Sequence, residues 1–291
     1  MAGVVLSAIL PILITVAIGF LWARAGRKIQ SPDLTALIAD IATPCLIVST
    51  FQKTHVSPAA FGAMAGAAAL AILLFALCGA VILKALGLKL RTFLPSVAFP
   101  NAGNLGLPVA LYAFGDEGLG YAIVFFSISS IANYTLGQAI AAGQANWRGL
   151  VRLPILYAIA LAVALSLASI QLPVWLGSTV SLIGGLTVPI MLLLLGASIS
   201  SLGVASAGRA AAVSLVRIGM GAAVGFAVAA LFGFTGVIRA VLVMQAANPV
   251  AVYNYLFAQR WNNEPEQVAG VVVVSTLMSV VTIPLLLAAL I

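Results

Sequence analysis

Two stretches of this sequence hold groups able to bind an anion without a charged side chain. The first reads Phe99-Pro100-Asn101-Ala102-Gly103-Asn104-Leu105-Gly106-Leu107-Pro108. Its prolines, glycines and asparagines cannot make a regular helix, because Pro lacks the N–H and Gly is a poor helix former. The second reads Gln245-Ala246-Ala247-Asn248-Pro249, with Tyr253 one turn beyond. Asn caps a helix N-terminus well and Pro suits its first turn, so each break is also a restart. A restarted helix offers free N–H groups and partial positive charge. Two such ends converging make a site for a carboxylate. The expected substrate-binding residues are Asn101, Asn104, Pro108, Asn248, Pro249 and Tyr253. The alternative is a pair of kinked helices whose asparagines only satisfy their own backbone.

Asp40 and Arg217 each lie inside an apolar run. Intramembrane charges are functional candidates by default. Counted from the nearest basic helix end they share a depth, and they are expected to approach in one transport state. Snorkelling to the headgroups remains open for Arg217. A structural carboxyl or a proton carrier remains open for Asp40. Ser127, Ser129, Ser130 and Asn133 cluster, and helical spacing puts Ser129, Ser130 and Asn133 on one side. Asp40, Arg217, Gln245, Asn133 and Ser130 are therefore the candidates for coupling or gating. Helix–helix hydrogen bonding is the other reading of the serine cluster. His55, the only histidine, falls between apolar runs, and Cys45 and Cys78 are expected to be packing residues. No nucleotide loop, metal-ligand spacing or catalytic triad is present, so no cofactor, metal or enzymatic activity is expected.

The elements that position these groups follow from composition. Of 291 residues, 63% are hydrophobic and 7% charged. A soluble domain carries roughly 25% charged residues. The chain is expected to be an all-α polytopic membrane protein with the lipid bilayer as its partner. A spanning helix needs about 20 apolar residues. Breaks in the pattern give ten segments at roughly 3–23, 34–51, 59–84, 92–114, 117–142, 151–170, 174–200, 209–232, 236–259 and 266–290. The first begins without a basic n-region and is long enough to span, so it is kept as a helix.

The net charge of +7 does not point to nucleic acid, because the basic residues sit at the ends of apolar runs. Arg24, Arg27, Lys28, Lys84, Lys89, Arg91, Arg148, Arg152, Arg209 and Arg260 follow odd-numbered segments, and only Lys53 and Arg239 follow even ones. Basic loops stay cytoplasmic, so both termini are expected outside the cytoplasm, in the inner (plasma) membrane. All four tryptophans fall at predicted segment ends, as an interfacial belt requires. Gly62/Gly66 and Gly221/Gly225 are spaced for close helix packing.

The halves echo each other. Leu10-Pro11-Ile12-Leu13 recurs as Leu153-Pro154-Ile155-Leu156, Pro44 matches Pro189, and Pro108-Val109-Ala110-Leu111-Tyr112 matches Pro249-Val250-Ala251-Val252-Tyr253, all at nearly one offset. Residues 1–142 and 151–291 are therefore expected to be five-helix repeats. An odd helix number inverts the second repeat, the arrangement of alternating-access transporters.

At these motifs the sequence resembles the auxin efflux carrier family, which includes plant PIN-formed carriers and bacterial malonate or malate carriers. Thr43-Pro44-Cys45-Leu46, the segment Asn101 to Pro108, Leu195-Gly196-Ala197, Gln245 to Pro249 with Tyr253, and Ser275-Thr276-Leu277 with Ser279 and Pro284 carry the resemblance. It implies the fold of bile-acid/sodium symporters, with a scaffold from 1–51 and 151–200. A transport domain would come from 59–142 and 209–291, with broken helices 4 and 9 crossing in it. It also implies a homodimer, and a small organic anion, a carboxylate or dicarboxylate, as substrate. A sodium-coupled symporter of a larger organic acid is the alternative. No Asp or Glu lies near Gln245 to Asn248 to help bind sodium. The topology is testable: a reporter fused after the last helix is expected outside the cytoplasm, and a cytoplasmic signal contradicts the ten-segment count.

Overall fold

The computed structural model describes residues 2–29, 31–53, 57–143, 153–168 and 170–290. His55, Trp147, Arg148 and Arg152 lie outside them. The described chain is all-helical, and its one β-type contact is an isolated antiparallel bridge between Pro100 and Val250.

Local sequence starts and stops the helices. Ser57 accepts a hydrogen bond from the Ala60 N–H with Pro58 in the first turn, and Ser31 accepts one from Leu34 with Pro32 behind it. Gly143, at φ 74°, closes the helix Gln138–Ala142, a left-handed position that a side chain would strain.

Among the described residues, six helical stretches are long and apolar enough to cross a membrane: Asp33–Lys53, Ala59–Ala85, Ala102–Ala142, Val174–Ser201, Ala207–Leu231 and Pro265–Leu290. The 41-residue stretch Ala102–Ala142 turns at Gly115, where φ is 64° and ψ −157°. Leu90–Ala98, Gly236–Ala246 and Val252–Arg260 have 9, 11 and 9 residues, each too short to cross alone. Both sequence-predicted breaks are real interruptions: one helix ends at Ala98 and resumes at Ala102, the other ends at Ala246 and resumes at Val252. Among the described residues, three five-residue π-helical segments interrupt the α pattern, at Ile38–Ala42, Ala102–Gly106 and Asn133–Gly137.

Helix Ala2–Arg24 packs along Thr187–Ser201, and Thr43–Lys53 along Pro154–Leu167 and Val174–Gly184. Ala207–Leu231 lies against Pro58–Ala85, Gly236–Ala246 and Pro265–Leu290. Small residues bring backbones together, as expected where apolar lipid competes equally for apolar side chains. A Cβ on Gly196 would collide with the backbone of Val16 and Phe20, and one on Gly19 with that of Leu193. Gly221 and Gly225 are close-packed against Ala246 and Val243, as the spacing predicted, whereas Gly62 faces open space. Cys78 is exposed on its helix and Cys45 half-buried, so neither is a fully buried packing residue.

The close approach of Ala2–Arg24 to Thr187–Ser201 is testable. Gly196→Ala is expected to cost about 1–3 kcal/mol by overpacking. In detergent this lowers the melting temperature by several degrees, whereas Gly62→Ala is expected to leave it unchanged or raise it slightly.

Candidate functional site

The two breaks satisfy each other's backbone. The Asn101 N–H donates to the Pro249 carbonyl at 2.7 Å, and the Ala251 N–H to the Phe99 carbonyl at 3.4 Å. The Val250 N–H donates to Ser275 Oγ at 3.1 Å, and Asn254 Nδ2 to Phe99 O at 3.2 Å. Burying these groups without partners would cost about 1–3 kcal/mol each.

On one side of this contact lies a cavity of about 670 Å³. Residues Pro100 to Asn104 and Ala251 to Tyr253 line it, so both restarted helices begin at its wall. All three π-helical segments also border it, contributing Ile38, Ala39, Asp40, Ala102, Gly103, Asn104, Asn133 and Tyr134. π-Segments recur at functional sites, because the extra residue breaks the regular hydrogen-bond ladder. Ser129, Ser130, Met191 and Ser198 complete much of the wall.

Asn101 is the most informative residue. It is 3% exposed, and its Oδ1 accepts the Asn104 N–H at 3.1 Å, capping the restarted helix. Its Nδ2 is buried without a partner among the described residues. Thr43 Oγ1 and Asn133 Oδ1, also on the wall, are buried and unpartnered too. The first-turn N–H groups of Val252 and Tyr253 find no acceptor among the described residues. Asp40 is the one charged side chain among the described lining residues, and it is exposed. Tyr253 packs edge-on to Tyr134 at 5.9 Å, and Tyr134 to Phe257 at 6.1 Å. The described wall thus offers neutral donors and two helix N-termini, with no cationic side chain among its described residues.

The cavity brings together Asn101, Asn104, Tyr253, Asp40, Ser130 and Asn133 from the sequence-predicted set, and leaves out the rest. Asn248 is 1% exposed, and its Nδ2 donates to Gln245 Oε1 at 2.9 Å. Both side chains rest on Gly106, where a Cβ would strike them. They bind one break to the other rather than face the cavity, and Pro108 and Pro249 are likewise buried behind it. The reason is the missing side chain at Gly106, which lets the second break settle onto the first. Arg217 does not approach Asp40 here, nor does it snorkel. It is fully buried, and its guanidinium donates from Nη1 to Val97 O and from Nη2 to Ala246 O. Thr43, Ser129 and Tyr134 line the cavity without having been named as site residues. Ser129 stood in the noted cluster, Thr43 opens the Thr43-Pro44-Cys45-Leu46 motif, and Tyr134 follows Ser130 by four residues on the same helical side. A second cavity of about 390 Å³, lined by Phe51, Phe61 and Ile123 among others, is almost wholly apolar.

The chain is similar to known transporters. A family model described as membrane transport protein matches residues 4–146 and 140–287. An uncharacterized transporter of Methanothermobacter thermautotrophicus is 26% identical over 196 residues, which cover 65% of this chain and 65% of that protein. The chain thus spans just under two thirds of that relative's length. Both matches are to membrane transporters rather than enzymes, and with several helices apolar enough to cross a bilayer this is a multi-pass membrane protein. The family match extends through both broken helices and nearly the whole chain, so the protein belongs to the membrane transport protein family, the auxin efflux carriers that its motifs resemble.

Proposed function

We propose that this protein is a secondary transporter that moves a small organic anion, a carboxylate or dicarboxylate, by alternating access. The observation that carries the reading is the 670 Å³ cavity on which two restarted helices open beside the unpartnered Asn101 Nδ2. Each helix N-terminus carries roughly half a positive charge. Two of them, with neutral amide donors, hold a carboxylate moderately, so release does not require breaking a full ion pair. Helix-end effects are about 0.3–2 kcal/mol each, so several must combine.

In this reading the chain has ten spans in a 5+5 inverted repeat, and the breaks near Asn101 and Asn248 are the crossing of helices 4 and 9. Residues 1–51 and 151–200 form the scaffold, and 59–142 with 209–291 the transport domain. The cavity supports that division, because residues of both sets line it: Asp40, Thr43, Met191 and Ser198 from the first, and Asn101, Asn104 and Tyr253 from the second. Movement of one set against the other would expose the site alternately to each side. Ser31, Leu153 and Leu202, at the ends of helices on the arginine-rich side, also line the cavity. That supports a state open to the cytoplasm, with both termini outside in the inner membrane. A homodimer through the scaffold completes the proposal. Asp40 places a carboxylate on the wall of the same cavity and is the candidate coupling or gating group.

A thermal-shift screen against mono- and dicarboxylates tests the substrate class. Asn101→Asp tests the site, because aspartate can still cap the Asn104 N–H but replaces the donor with a negative charge. It is expected to weaken binding of the best carboxylate at least tenfold, about 1.4 kcal/mol, while the protein stays folded. Unchanged affinity places the site elsewhere. Asn248→Ala is expected to act differently, lowering the melting temperature by loosening the contact on Gly106.

A further inference from the structure

We propose that Arg217 is a resident cation: it neutralises the C-terminal ends of both interrupted helices, so the contact between the breaks needs no metal cation from solution. The substrate part of this inference rests on the carrier reading above; the structural part does not.

Arg217 lies midway along Ala207–Leu231 and is fully buried. A buried charge needs compensation, because its desolvation costs several kcal/mol. No carboxylate among the described residues pairs with it; the one ion pair found there joins Lys89 to Glu264. Its partners are instead two carbonyls, Val97 O and Ala246 O, and the ring of Phe75 at 4.4 Å from Cζ. Val97 lies in the last turn of Leu90–Ala98, and Ala246 ends Gly236–Ala246. Carbonyls in a last turn have no donor within their own helix. Each helix C-terminus carries roughly half a negative charge, so the two together match one guanidinium.

Geometry fits the assignment. The guanidinium is a planar fork that stays charged and donates in two directions at once, which an ammonium point charge does not reproduce. Gly221 keeps the approach open, since a Cβ there would stand 2.7 Å from Nη2 and against Ala246 O. The polarity of the two breaks is thereby sorted. Their negative ends meet at Arg217, and their positive ends open on the cavity. The helix ends cannot separate without stranding the charge, so Arg217 also couples the two halves of the site. It is a positioning residue, since it does not line the cavity.

The test compares purified wild type with Arg217→Lys, Arg217→Met and Arg217→Ala in millimolar guanidinium, sodium or choline chloride. The substrate-free melting temperature is the first readout. Wild type is expected to melt alike in all three salts. Arg217→Met is expected to lose on the order of 10 °C, and Arg217→Lys to keep about half of that. Arg217→Ala is expected to regain stability in guanidinium and not in choline. A methionine variant as stable as the lysine variant overturns the proposal, as does an alanine variant that responds equally to guanidinium and choline. The second readout uses wild type alone and so does not depend on any variant folding. Malonate is expected to bind equally well in sodium and in choline, and a tenfold gain in sodium overturns the proposal. Failure of malonate and other carboxylates to bind in either salt counts against the anion-carrier reading instead, and the stability pattern then decides the role of Arg217.

Discussion

Backbone that leaves a helix inside apolar surroundings must find partners for its N–H and C=O groups, and the rest of this structure depends on how that is done. Water is not at hand to supply them in a membrane interior. Two interrupted helices meet and each completes the other, through Asn101 N–H to Pro249 O and Ala251 N–H to Phe99 O. Neither break is tolerable alone. Side chains supply what remains: Ser275 for the Val250 N–H, Asn254 for the Phe99 carbonyl, Asn101 for the Asn104 N–H, and Arg217 for two helix ends. The groups left over on the cavity side are the ones available to a ligand.

This arrangement explains where glycine is needed. Gly106 is bare because Gln245 and Asn248 occupy the space of its side chain, and Gly221 because Ala246 and Arg217 do. Both sit where the second break is pressed onto its neighbours. The hydrophobic core runs through the same region, with Phe99, Ala102, Leu107, Val243 and Ala246 in one buried cluster. Packing therefore holds the breaks together while the polar groups set their register.

The three π-helical segments give the cavity much of its wall. Each displaces the side chains that follow by adding a residue to one turn. Asp40, Asn104 and Asn133 all sit in such segments, and all line the cavity. An α-helical wheel drawn through these stretches misplaces the residues beyond them. The serine cluster and Asn133 were legible by α-helical spacing, and Tyr134, four residues after Ser130, falls on the same side.

Much was legible in the residues themselves. A charged fraction of 7% excludes a soluble surface, and Pro, Gly and Asn crowded between Phe99 and Pro108 exclude a continuous helix. Local chemistry is enough for such conclusions, because a missing N–H or a missing Cβ acts wherever the residue is placed. Asn101 could be read as a cap for the same reason, and the structure makes it one. What tertiary structure alone decided is which side of each break faces the ligand. Asn101 and Asn248 carry the same amide in similar local motifs, yet one borders the cavity and the other is sealed against Gly106. Arg217 looked like a shallow charge when counted along its own helix, and only the convergence of two helix C-termini from distant parts of the chain makes its deep burial tolerable. A side chain's partners across the fold have no signature in its own neighbourhood, because the energy that places it comes from groups more than a hundred residues away in sequence, as from Arg217 to Val97.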